Sequence, residues 1–195
     1  MGAMETMMID MAYSQIAKSL GLPTHAYMGL SDAKCVDAQA GLESGMGAVL
    51  AALAGINVVS GGGMMAYENC ISLEKLVIDH QIIRMAYRLI EGVTQRDEVM
   101  ALDIFRDILR GDDFMGHPHT VQWLRREHWY PRLIDRGGPE EWEAEGKPTL
   151  ADRAAEERAR LAAAGGMYSL DASVGREMRK IMLAHGKPHG LTFPS

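Results

Sequence analysis

Two short apolar stretches decide the fold: T-H-A-Y-M (24–28) and I-N-V-V-S (56–60). Each runs straight into a loop built on glycine, G-L-S-D-A-K (29–34) after the first and Gly61-Gly62-Gly63 after the second. Short apolar runs bounded by glycine or proline are the pattern of buried strands. Helical patterns surround them. Residues 3–20 place Met4, Met7, Met8, Met11, Ile16 and Leu20 at spacings near three and four, and Gly21 and Pro23 end the run. Residues 38–54 are rich in Ala and Gly, which predicts close packing on neighbours, and Gly55 closes them. Ser72 caps a longer helix with Glu74 in its first turn, and Leu76, Ile78, Ile82, Ile83, Tyr87 and Ile90 form its apolar side. Residues 1–93 therefore read helix, strand, helix, strand, helix, the alternation of parallel βαβ units in an α/β fold. A pair of strands leaves two raw edges, so the segment reads as part of a larger sheet or barrel.

The rest of the chain carries no strand pattern. Helices are expected over 97–109, around Trp123 and Leu124 (119–128), over the alanine-rich, alternately charged 150–164, and over 173–184. Gly137-Gly138-Pro139 and Gly165-Gly166 read as linkers, and His185 to Ser195 as a loose tail. The division expected is 1–93 and 94–195. In 195 residues, 47% are hydrophobic, enough for a real core. The 15 methionines suit irregular packing. A net charge of −6 argues against nucleic acid as partner. No apolar run is long enough to span a membrane. Cys35 and Cys70 make no disulfide framework and fit a reducing, cytoplasmic setting.

Residues just past a strand's C-terminal end line the active site in α/β folds. Asp32 and Lys34 stand there, so Asp32 is a candidate ligand for a cationic substrate; the competing role is a solvated turn. Gly61 and Gly62 let a ligand or another backbone come close, but no Gly-Lys-Ser/Thr follows and the spacing is not a dinucleotide fingerprint. Tyr67 and Glu68 in the next loop, with Tyr27 on the first strand, could enclose a quaternary ammonium by cation–π attraction and charge; ordinary packing is the alternative. His117, His119 and His128 lack a fourth ligand nearby, and Pro118 prevents two of them sharing a helix face, so packing is expected and no metal. No catalytic triad can be assembled from local spacing.

Several stretches in this order resemble the C-terminal part of the trimethylamine methyltransferase family: 21–34, D-A-Q-A-G-L-E (37–43), A-A-L-A-G-I-N (51–57), S-L-E-K-L-V-I-D-H-Q-I-I (72–83), and H-P-H-T with R-E-H-W-Y-P-R-L-I-D-R (117–136). The resemblance implies the last βα units of a (β/α)8 TIM barrel over 1–93 and a helical extension after it. It implies methyl transfer from a tertiary or quaternary methylamine to Co(I) of a corrinoid carried by a separate protein. The substrate would be held by Tyr27, Asp32, Lys34, Tyr67 and Glu68, with Gly29, Ser31, Gly61 and Gly62 toward the cofactor. Ordinary Leu30 precedes Ser31, where trimethylamine-specific members carry pyrrolysine, so the chain resembles the branch acting on quaternary amines such as glycine betaine. Met64 to Cys70 departs from the family pattern. A third of a barrel cannot close, so self-association and inactivity of the chain alone are expected. The rival expectation is a non-catalytic helical interaction module, from the strand-free, charged second half.

Overall fold

The alternation expected over residues 1–93 is what the chain adopts. A computed structural model describes residues 1–96, 100–165 and 170–190. Helix α1 (Met4–Ser19) ends where Gly21 turns left-handed at φ +70° and the Leu20 and Gly21 amides close on the Ala17 and Lys18 carbonyls. Strand β1 (His25–Tyr27) leads to α2 (Ala38–Leu53), whose N-terminus is capped by the Asp37 carboxylate accepting from the Gln39 and Ala40 amides at 3.0 and 3.2 Å. Strand β2 (Val58–Ser60) lies parallel to β1, with His25 opposite Val58 and Tyr27 opposite Ser60. Asn57 fixes that register, because its Oδ1 accepts from both the amide and the hydroxyl of Thr24, at 3.0 and 3.2 Å. Helix α3 (Leu73–Glu91) begins at Ser72, whose hydroxyl accepts from the Lys75 amide.

One element was not expected. Between β2 and α3 the chain makes a small antiparallel hairpin, β3 (Met64–Met65) with β4 (Cys70–Ile71). Two residues per strand are too few to carry an alternation, and methionine signals strand weakly.

The core explains why β1 must be short and apolar on one side. Ala26 and Met28 are buried with Met7, Ala51 and Ile56, so one face of β1 packs on α1 and α2. His25, Tyr27 and Val58 share the other face and stay exposed. The small residues of α2 permit close contact. A Cβ at Gly47 would collide with the Met28 carbonyl oxygen, so only glycine fits where the helix crosses the end of β1.

Beyond Glu91 the described residues hold no strand. They form α4 (Leu102–Leu109), α5 (Pro118–Glu127), α6 (Pro139–Ala144), α7 (Leu150–Ala163), α8 (Ala172–Gly186) and a 3₁₀ turn at Lys187–His189. The helix expected from residue 97 starts at Leu102; 97–99 lie outside the described residues, as do Gly166 and 191–195 of the expected linker and tail. Pro139, expected in a linker, opens α6, since proline presets the first helical turn and has no amide to waste there. The final helix runs on to Gly186. Leu133 and Ala154 are buried against Ile78 of α3, and the Arg132 amide donates to Gln81 Oε1 at 3.1 Å. The R-E-H-W-Y-P-R-L-I-D-R stretch is thus a strap laid on α3. The chain forms two compact units, Met1–Arg158 and Ala159–Ser195.

The glycines of α2 give a sharp test. Gly47→Ala should lower unfolding stability by about 2–4 kcal/mol, because a methyl is forced into backbone. Gly45→Ala, with nothing within 4 Å of its Cβ position, should be neutral or stabilise by about 0.5–1 kcal/mol. Urea titrations of both variants check the pair; equal effects would refute the tight crossing.

Candidate functional site

The loop after β1 is held from below by one carboxylate. Glu43, two turns into α2, accepts from Ser31 Oγ at 2.6 Å, from the Asp32 amide at 2.7 Å and from Gln39 Nε2 at 2.8 Å. Burial pushes its pKa up, but these hydrogen bonds outweigh burial and hold it below the ordinary carboxylate value. Ser31 is fully buried, and its hydroxyl also accepts from the Ala33 amide at 3.0 Å. The same loop runs beside β3: the Ser31 amide donates to Met64 O and the Ala66 amide to Ala33 O, both at 3.1 Å. The unexpected hairpin is what brings the two strand-end loops together.

On this base Asp32, Lys34 and Tyr67 form one group. The Asp32 carboxylate accepts from the Gly2 amide at 2.9 Å. Lys34 Nζ donates to the Asp32 carbonyl at 2.8 Å and lies 4.6 Å from the centre of the Tyr67 ring. Tyr67 sits at the hairpin tip, where Ala66, Tyr67 and Glu68 are all left-handed, with φ of 51°, 58° and 67°. Each such residue costs about 1–2 kcal/mol. The Asn69 side chain offsets part of this by donating to the Ala66 carbonyl at 2.7 Å. Glu68 is exposed beside Tyr67.

Tyr27 lies elsewhere, on the exposed face of β1. Its ring meets that of His25 edge-on at 5.2 Å. His25 Nε2 is 2.7 Å from Ser60 Oγ across the strand pair, and the Tyr13 hydroxyl donates to the His25 carbonyl. His25, Ser60 and Tyr27 thus make a second polar cluster that sequence reasoning passed over, although strict alternation in H-A-Y-M already separates His25 and Tyr27 from buried Ala26 and Met28. Glu43 was also passed over, despite standing within a stretch quoted for its family pattern.

The glycines allow a close approach, and what approaches is the opposite loop. A Cβ on Gly29 would stand 3.2 Å from Ser60 O and 3.3 Å from Gly62 N; on Gly61, at φ +109°, 2.9 Å from Leu30 N. Gly62 is roomier, with only Leu76 Cδ1 at 3.6 Å. Beneath both loops a buried polar chain ties them to the helices. Gly63 N donates to Asp79 Oδ2 at 2.7 Å, Lys75 Nζ bonds the same oxygen at 2.5 Å and Ser44 Oγ at 2.7 Å, and Ser44 Oγ reaches Gly29 O at 3.4 Å. Burial raises the Asp79 carboxyl above its ordinary pKa, against the pull of Lys75 and the Gly63 amide. His117 caps α5 by accepting from the His119 amide. Among the described residues no group of three or more His, Cys, Asp or Glu is placed to hold a metal, and no helix is long and apolar enough to cross a membrane.

A parallel βαβ unit with paired strand-end loops defines the class; comparison with known proteins defines the family. The profile of the trimethylamine methyltransferase (MTTB) family matches residues 1–185. The chain is 34% identical to the glycine betaine methyltransferase of Desulfitobacterium hafniense (strain Y51) over 74% of its own length and 30% of that protein's. It is 32% identical to trimethylamine methyltransferase MttB1 of Methanosarcina mazei, over 93% of this chain and 36% of the relative. Trimethylamine methyltransferase MttB of D. hafniense (strain DSM 10664 / DCB-2) is 30% identical over 80% of this chain and 31% of its own length. The chain therefore belongs to the trimethylamine methyltransferase family, and spans about a third of the length of these curated relatives.

Glu43 makes the loop's stability depend on pH in a defined sense. Its folded pKa is depressed from 4.5, so its contribution is present above that value and is lost as pH falls through the folded pKa. Glu43→Gln should cost about 1–2 kcal/mol at neutral pH. The difference from wild type should shrink as the pH drops below 4.5, measured by denaturant unfolding across the acid range. A difference that stays constant would show that the ionised carboxylate is not what holds the loop.

Proposed function

We propose that the protein is a corrinoid-dependent methyltransferase whose donor is a quaternary methylamine of the glycine betaine type, and that this chain forms the last βα units of its (β/α)8 barrel with the helical extension that follows. The observation that carries it is the group just past the C-terminal end of a parallel strand, where Lys34 Nζ bonds the Asp32 carbonyl and lies 4.6 Å from the centre of the Tyr67 ring, an aromatic face that takes a cation. Family membership supplies the reaction class. Ordinary Leu30 before Ser31 favours a quaternary amine over trimethylamine.

In this reading the residues divide into binding and positioning groups. Asp32 and Glu68 supply negative charge for the cation, and Tyr67 a ring face that Lys34 now covers at 4.6 Å. Tyr27, with His25 and Ser60, looks into the barrel from the strands. Ser31, buried and bonded to Glu43, positions Asp32 and does not touch substrate. Gly29, Gly61 and Gly62 let the two loops nest at the mouth, where a partner corrinoid protein would dock. The corrinoid supplies the Co(I) nucleophile that takes the methyl group. The chain's own task is to hold the cation with one methyl outward and keep water away. A quaternary amine leaves as a neutral tertiary amine, so no acid need protonate it, and positioning with desolvation carries the catalysis.

The exposed face of β1–β2 and the outer side of α1, with Met8 57% and Ile16 65% exposed, are where the remaining barrel would pack. Alone, the chain should self-associate on size exclusion; a sharp, cooperatively unfolding monomer would count against the missing barrel.

The function is tested by joining this chain to the upstream two-thirds of the glycine betaine methyltransferase relative and assaying methyl transfer to Co(I) cobalamin. Glycine betaine should be demethylated and trimethylamine should not. Asp32→Ala should weaken apparent affinity. Removing the Tyr67 ring should cost up to roughly thirtyfold, the value of a desolvated cation–π contact of about 2 kcal/mol. Use of trimethylamine alone would overturn the substrate, and an unchanged Asp32→Ala the site.

A further inference from the structure

The buried Lys75–Asp79 pair is also the floor of a cavity that the methyl-transfer proposal does not use. This cavity, about 590 Å³, lies between the start of α2, the first turns of α3 and the start of α7. Its walls include Val36, Leu42, Ile78 and Leu150. Both Lys75 and Asp79 line it, with side chains only 1% and 3% exposed. Asp79 uses one oxygen twice, for Lys75 Nζ and for the Gly63 amide. Its other oxygen, Oδ1, is buried and has no hydrogen-bond partner among the described residues. An unsatisfied buried acceptor is costly, by about 1–3 kcal/mol and more when charged. An acceptor with apolar walls around it asks for a donor on an apolar body.

Charge sets the kind of donor. Among the described residues that line the cavity, Asp37 and Asp79 stand against the one cation Lys75, so its edge carries an excess of negative charge. Both helix starts that border it are already capped, α2 by Asp37 and α7 by Thr149, whose hydroxyl accepts from the Asp152 amide at 3.2 Å while the Asp152 carboxylate takes the Thr149 amide at 2.8 Å. They offer little to an anion. We propose that this cavity is a second binding site, for a small primary or secondary ammonium ion on an apolar body, with an N–H donated to Asp79 Oδ1. A quaternary ammonium has no N–H and would be refused, so the site is distinct in chemistry from the Asp32 site. Its position joins the strand-end loops, through Gly63, to the helical layer.

The probes are benzylammonium and benzyltrimethylammonium, which share charge and ring but differ in donors, titrated by calorimetry against the full chain. Benzylammonium should bind with a stoichiometry of about one, and benzyltrimethylammonium at least tenfold more weakly, the loss of about 1.4 kcal/mol. Asp79→Asn should abolish the preference between the two. Because that variant disturbs a buried pair, Ala38→Phe, at an exposed position lining the cavity, provides the second arm. It should block benzylammonium while leaving the unfolding midpoint unchanged. No saturable binding at millimolar concentration would mean that Oδ1 is met by water only. Equal binding of both probes, or binding that survives Ala38→Phe, would equally overturn the site.

Discussion

The ion pair of Lys75 and Asp79 organises everything around it. Both side chains are almost wholly buried, and a buried pair seldom repays its own desolvation, since apolar replacements of such pairs are often neutral or stabilising. Its value here lies in what else it touches. Asp79 takes the Gly63 amide at the exit of β2, while Lys75 reaches Ser44 on α2, whose hydroxyl faces the Gly29 carbonyl at the exit of β1. One pair, one turn apart on α3, therefore sets where both strand-end loops leave the sheet. Apolar contacts are non-directional and could not fix those two carbonyl and amide positions.

That constraint passes outward through the loops. With Gly29 and Gly63 fixed, the backbones of residues 29–30 and 60–62 meet at distances that only glycine permits. The loop of residues 31–33 then runs alongside β3, and Glu43 clamps it to α2. Asp32 is left with its amide used inward, on Glu43, and its carbonyl taken by Lys34. The hairpin tip bears the strain of this arrangement in three successive left-handed residues. Strain of that kind persists where the surroundings over-determine it, and here Asn69 and the ladder to Ala33 do so.

Much of this was legible in the sequence. The strand pair, the helices flanking it and the cap at Ser72 follow from local pattern, because apolar alternation and cap chemistry act over a few residues. Asp32, Lys34 and Tyr67 were singled out from their place after strands, and they do come together. The hairpin was not legible, because its strands are two residues each and one of them is held by hydrogen bonds to Ser31 and Ala33, far away in the chain. Glu43 and the Lys75–Asp79 pair were missed for a related reason. Both sit on helices whose patterns look complete without them, and a charged residue facing inward is indistinguishable from a solvated one until the neighbouring element is in place. The i, i+4 spacing of Lys75 and Asp79 is the single local hint.

Lys34 gives the candidate site its logic. Its ammonium stands over the Tyr67 ring and bonds the Asp32 carbonyl, so a resident cation already occupies the position that aromatic and charge together favour. A bound substrate cation would have to displace Lys34 from the ring or share it, and like charges at that range repel. Displacement is the cheaper course, because Lys34 is on an exposed, flexible stem and can return its ammonium to water. Exchange of one cation for another keeps the pocket's charge the same in both states. It also limits how tightly a cation is held.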